Sequence, residues 1–243
     1  MKQPFDKVDL HIHTTFSDGR CSVDEVVTAA RLKGLRVVAI TDHYSEYKPL
    51  PKRMTRAQLP TYLTTLEGRG VLRGVEAEVL EDGGVSMSEE VSRLCDVVIG
   101  GLHILGDRVF WYDPQPIWNP RAFVEEMRTV LIKAMETGLL DIVAHVTWLP
   151  EAIRPQTHRL LTKEWVGSII DAASDNGIAI EISGAWRVPD EEFVRECVRH
   201  GVKLSVGSDA HNAKMVGDVR YPLEVLGRVG APDDSLFLPN VKG

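Results

Sequence analysis

The feature that most constrains the fold of this chain is an alternation. Seven short apolar runs, at residues 8–11, 37–41, 71–75, 97–101, 142–145, 178–182 and 203–207, have the length of strands, and amphipathic stretches lie between several of them. The helical stretches carry their own start and stop signals. Ser22-Val23-Asp24-Glu25 has the form of a capping box, and Gly34 can end the helix it opens. Asn119-Pro120 sets a cap residue before a proline at the first helical position, and Phe123, Val124, Met127, Val130, Leu131 and Ala134 follow at helical spacing up to Gly138. Thr162 opens a third helix that Gly177 closes, and residues 190–200 form a fourth, ended by Gly201. Each of the last three is followed within a few residues by an apolar strand, the signature of βα units and a parallel sheet.

No linker, low-complexity segment or internal repeat interrupts this pattern, so residues 1–243 are expected to form a single domain. The fold class is α/β. A doubly wound open sheet is the rival to a closed barrel, but it usually keeps its site at one switch point. Here polar candidates follow nearly every strand, which favours a β/α barrel with its site at the C-terminal strand ends. The polar, proline-bearing stretch 44–61 reads as a long loop over that site.

Six of the eight histidines lie at or just after a strand end. In His11-Ile12-His13, residues two apart on a strand share a face, so both imidazoles can meet one metal; an ordinary alternating strand has the same look. Asp18 is either a turn aspartate or a ligand. Thr41-Asp42-His43 ends the second strand, with Asp42 a capping residue, a ligand-orienting partner or a proton shuttle. Glu76 follows the third strand, and Glu78 is close enough to be confused with it. His103 follows Gly100 and Gly101, where backbone can approach a ligand closely. His145 ends the fifth strand, and Asp209 and His211 follow the last. His158 and His200 lie in helical or loop context and read as solvent-facing. Parallel strands would bring the strand-end groups to one face. Six imidazoles and three acids converging there are relieved by divalent cations, and nine donors imply two or three ions.

This ordered set resembles the motifs of the polymerase and histidinol phosphatase (PHP) family from His11 to His211. The resemblance implies a distorted (β/α)7 barrel and a metal-dependent phosphoesterase using two or three Zn, Mn or Fe ions. It implies that His11, His13, Glu76 and Asp209 hold one ion, that Glu76 bridges to a second bound by His103 and His145, and that Asp18, His43 and His211 hold a third. A hydroxide bridging the ions would then attack phosphorus, with Asp42, Glu76, Asp209 and His211 as the catalytic set. Many members carry histidine where this chain has Asp18. The segments 101–107 and 181–187 resemble the histidinol-phosphate phosphatase branch, so a small phosphorylated metabolite is the expected substrate, histidinol phosphate first. A phosphodiesterase or nucleotide phosphohydrolase on the same scaffold is the alternative. Arg187, with Arg20 and Arg154 behind it, is the expected phosphate clamp.

Composition excludes other classes. A formal net charge of −7 opposes stable nucleic-acid binding, and no basic or aromatic stripe offsets it. Residues 1–10 hold no apolar run of signal-peptide length, and nothing approaches the roughly 18 apolar residues of a membrane span, so a cytoplasmic protein is expected. Cys21, Cys95 and Cys197 form no CxxC pair and are expected to be buried thiols. Trp111, Tyr112 and Trp118 are either ring-stacking residues or packing under the 110–118 loop.

Overall fold

Strands and helices follow in the order β1 (Val8–Asp9), α1 (Val23–Leu32), β2 (Val37–Ile40), β3 (His43–Tyr44), α2 (Leu59–Leu66), β4 (Leu72–Glu78), α3 (Glu89–Leu94), β5 (Val97–Gly101), β6 (Ile104–Leu105), β7 (Arg108–Val109), α4 (Pro120–Glu136), β8 (Ile142–Val143), α5 (Thr157–Leu160), α6 (Lys163–Asn176), β9 (Ala179–Ser183), α7 (Glu191–Arg199), β10 (Leu204–Gly207) and α8 (Arg220–Val229). The computed structural model describes residues 4–48, 50–111 and 115–239. Tyr112 lies outside the described residues.

Seven strands pair in parallel in the order β1-β2-β4-β5-β8-β9-β10, with β3 branching onto β4. The two ends of that row meet. The Leu10 amide donates to the Val206 carbonyl at 2.9 Å, and Ile12 bridges in parallel to Ala210. The sheet therefore curls into the closed barrel that the alternation favours, in the distorted (β/α)7 form that the resemblance implies. A buried carboxylate fastens the seam. Asp9 Oδ1 accepts from the Ser208 amide at 2.8 Å, and Oδ2 accepts from Ser208 Oγ at 2.6 Å and from the Gly217 amide at 2.7 Å.

The helix signals act as their chemistry requires. Ser22 and Glu25 exchange the reciprocal bonds of a capping box, and Asn119, Thr162 and Asp190 each accept a first-turn amide. Trp165 is fully buried and its indole donates to the Val124 carbonyl at 2.7 Å, fastening α6 to α4.

Three differences from the sequence reading stand out. The 44–61 stretch is not loop throughout: Tyr44 belongs to β3, Met54 bridges to it, and α2 begins at Leu59. The predicted strand 142–145 stops at Val143, because His145 turns into left-handed backbone at φ 34°. Strand β4 runs on to Glu78, so Glu76 sits within it, paired in register with His43 on one side and Ile99 on the other. The three cysteines are buried and free. No helix among the described residues is long and apolar enough to cross a membrane.

Replacing Asp9 with alanine orphans the buried amide and hydroxyl of Ser208, at about 1–3 kcal/mol each, and frees the half-buried Gly217 amide. The expected outcome is a fall in Tm of roughly 5 °C or more by calorimetry, and an unchanged Tm would remove the seam role.

Candidate metal centre

All nine predicted ligands meet on one face. Glu76 is at their centre. Its Oε2 lies 2.7 Å from His43 Nδ1, 3.4 Å from His11 Nε2 and 3.6 Å from His13 Nε2. Its Oε1 lies 3.2 Å from both His103 Nε2 and His145 Nε2. Asp209 Oδ1 meets the same two nitrogens as Glu76 Oε2, 3.2 Å from His13 Nε2 and 3.9 Å from His11 Nε2. Asp18 Oδ1 faces His211 Nε2 at 3.2 Å, His43 Nε2 at 3.6 Å and His13 Nδ1 at 3.9 Å.

Local structure explains these positions. The β3–β4 register sets His43 beside Glu76. His145 and Asp209 both occupy left-handed backbone, at φ 34° and 52°, where a non-glycine residue is strained and is held by its surroundings. Gly101 earns its place through a different neighbour from the one expected. A Cβ there would overlap Glu76 Oε1 and His103 Cε1, so the missing side chain makes room for two cluster residues rather than for a substrate.

The cluster's electrostatics oppose burial. Burial alone raises a carboxyl, but His43, His103 and His11 outweigh it and hold Glu76 well below its usual range. Asp209 and Asp18 are likewise held down by neighbouring imidazoles against their burial. Burial and the neighbouring His43 pull His13 down to about 3. Burial works against His103 too, but Glu78 and Glu76 push it up to about 10, and Asp18 and Asp209 push His211 up to about 9 in the same way.

The residues fit divalent cations. His13 Nδ1, Asp18 Oδ1, His43 Nδ1 and Glu76 Oε2 are buried polar atoms without a hydrogen-bond partner. His43 Nδ1 and Glu76 Oε2 are among them although only 2.7 Å apart, so their approach is not a directed hydrogen bond. Buried polar atoms left unpaired call for an explanation such as an ion. Three sets of donor atoms lie within ion-sharing distance, His11–His13–Glu76, His43–Glu76–His103 and His13–Asp18–His43–His211, each spanning no more than 4.8 Å. Imidazole with carboxylate is a donor set for Zn, Mn or Fe.

Four expected site residues stand apart from this convergence. Asp42 is fully buried, but its oxygens accept from the Thr14 and Ser17 amides and hydroxyls at 2.6–3.1 Å. It holds the turn before Asp18, which replaces the proton-shuttle reading with an indirect orienting one. Arg187 is exposed, at φ 55°, with its guanidinium 5.3 Å from the Tyr221 ring centroid. Arg154 gives Nε to the Leu149 carbonyl and Nη2 to the Phe110 carbonyl, and lies against Trp148. Arg20 is exposed and joins the His211 carbonyl through its backbone amide. As expected, His158 and His200 face solvent.

Several participants escaped the sequence reading. Glu181 accepts from His11 Nδ1 at 2.6 Å. Trp186 Nε1 donates to Asp209 Oδ2 at 2.6 Å, leaving Oδ1 toward the histidines. Glu78 Oε2 meets His103 Nδ1 and Arg53 Nε, both at 3.2 Å, and Arg53 lies against Trp111. Trp118 is 90 % exposed and packs on nothing near the cluster. A usable signal existed for Glu181 alone: a charge in the middle of an apolar strand must find a partner.

A model of the PHP domain matches residues 9–185. The Bacillus subtilis DNA polymerase/3'-5' exonuclease PolX is 27 % identical over 227 residues, which cover 88 % of this chain but only 36 % of that protein. A probable phosphatase of Acetivibrio thermocellus is 29 % identical over 244 residues, covering 97 % of this chain and 92 % of that one. In fold, the chain is similar to the crystal structure of histidinol phosphate phosphatase from Lactococcus lactis complexed with zinc, L-histidinol and phosphate: the TM-score is 0.69 at 18 % identity, over 93 % of this chain and 95 % of that one. The family match and the probable phosphatases among the relatives indicate a hydrolase acting on phosphate esters. The chain belongs to the PHP family.

Gly101→Ala forces Glu76 and His103 apart. Divalent-ion affinity, measured by chelator competition, is expected to weaken about tenfold or more with the circular dichroism spectrum unchanged; wild-type affinity would refute this role for the glycine.

Proposed function

We propose that this protein is a metal-dependent phosphatase, a single barrel domain acting on a small phosphomonoester, with histidinol phosphate as the first substrate to test. One observation carries the reading: donor atoms from nine side chains, spread from His11 to His211, surround buried oxygens and nitrogens that no hydrogen bond satisfies. The phosphatase relative and the neighbour crystallised with zinc, L-histidinol and phosphate support it.

His11, His13, Glu76 and Asp209 would hold one ion, Glu76 with His103 and His145 a second, and Asp18, His43 and His211 a third. Such ions supply positive charge to a phosphoryl group and acidify water for attack on it. The chain's own groups hold and orient. Trp186 fixes one oxygen of Asp209 so that the other faces His13. Asp42 holds the 14–17 turn that carries Asp18 into place. The Asp18 and His211 side chains are 22 % and 32 % exposed, whereas those of the other cluster residues are 7 % or less. The ester therefore approaches on the Asp18–His211 side. Phosphate charge would be met there by the cations and by Arg20, which is exposed beside Asp18 and His211, since Arg187 and Arg154 are engaged elsewhere. The net charge of −7 opposes a nucleic-acid substrate.

The expected result is stoichiometric divalent metal in the purified protein, and turnover of phosphomonoesters in preference to diesters when Mn²⁺ or Zn²⁺ is supplied. Glu76→Ala should retain the fold and lose roughly 10²-fold or more in kcat/KM. A metal-free protein inert to both panels, or near wild-type activity in that variant, refutes the proposal.

A further inference from the structure

Glu181 lies in the middle of β9, fully buried, in a strand whose other residues are small or apolar. A lone carboxylate at such a position is costly unless its oxygens are engaged. Both are. Oε1 meets His11 Nδ1 at 2.6 Å, and Oε2 accepts the backbone amide of His145 at 3.0 Å. The two contacts reach opposite neighbourhoods of the cluster, one just beyond β1 and the other just beyond β8.

Each contact fixes a different property. A histidine that donates Nδ1–H to a carboxylate keeps the lone pair of Nε2 free for a cation. In His11 that Nε2 is the atom 3.4 Å from Glu76 and 3.0 Å from His13 Nε2. The second contact satisfies an amide that would otherwise be a buried orphan, at a residue bent into left-handed backbone. That bend turns His145 Nε2 to within 3.2 Å of Glu76 Oε1. The neighbouring strand is shaped around the arrangement. A Cβ on Gly207 would overlap Glu181 Oε1 and crowd His11 Cβ.

We infer that Glu181 is a positioning residue that sets the His11 tautomer and the His145 backbone turn together, so that one carboxylate prepares ligands of two ions. The inference rests on the metal-dependent reading above and concerns a residue outside the proposed ligand set.

Glutamine at this position has nearly the same shape but only one acceptor. If its carbonyl stays on His11 Nδ1–H, its NH₂ faces the His145 amide, donor against donor. If it flips, the NH₂ donates to Nδ1, and Nε2 takes the proton and can no longer hold a cation. Glu181→Gln therefore fails at one contact whichever way it turns.

The test uses the whole protein, stripped and reloaded with Zn²⁺, as wild type, Glu181→Gln and Gly207→Ala. Chelator competition reads zinc affinity, and ¹⁵N-resolved imidazole spectra read which His11 nitrogen carries the proton. In the zinc-loaded wild type, His11 should show an exchange-protected Nδ1 proton with zinc on Nε2. Gly207→Ala should lose that protected proton, Glu181→Gln should lose either that proton or the His145 amide contact, and each should lose about 10- to 100-fold in zinc affinity, at unchanged circular dichroism. Wild-type affinity and an intact Nδ1 proton in Glu181→Gln would overturn the inference while leaving the phosphatase reading in place. If the variants do not fold, the wild-type spectrum decides alone, and zinc on Nδ1 of His11 overturns it. A wild type that takes up no zinc, manganese or iron overturns the parent reading, and this one with it.

Discussion

Glu76 is the group on which the rest of the site depends. Its two oxygens lie within 3.6 Å of five imidazole nitrogens, contributed from four separate segments of the chain. Closure of the parallel barrel is what brings these distant positions to one carboxylate. The barrel's architecture and the site's chemistry are therefore a single constraint. Closing the seam through Asp9 also brings Asp209 against His13, because Ser208, the partner of Asp9, is the residue before it.

That arrangement has an electrostatic cost. Three acids and six imidazoles are packed together, most of them buried, and their protonation preferences diverge, with His13 pulled down and His103 pushed up. Two neighbouring positions, His145 and Asp209, also occupy left-handed backbone without being glycine. Such features persist where the surroundings over-determine them. Here the determinants are visible: Glu181 takes the His145 amide, and Trp186 takes one oxygen of Asp209.

The converging cluster was legible in the sequence because most of its members sit at or just past strand ends, where position along the chain already specifies position in space. His11, His13, His43, His103, His145 and His211 needed only the strand pattern. The residues that orient them were not legible on those terms. Glu181 hides in an apolar run, and Glu78 and Trp186 acquire meaning only through register and side-chain direction. Arg187 shows the converse. Its backbone follows a strand that ends at the site, but its left-handed turn carries the guanidinium onto Tyr221. The missed helices α2, α3, α5 and α8 lack side-chain cap bonds, so the capping signals that identified α1, α4, α6 and α7 were missing from them.

The seam joins residue 9 to residues 208 and 217, and this bears on biosynthesis. A ribosome makes the first histidine pair almost two hundred residues before the aspartate that faces it. Throughout that interval the emerging chain holds an open row of strands and an unfinished cage. A nascent chain stalled before β10 thus leaves its early imidazoles unmatched by their last carboxylate.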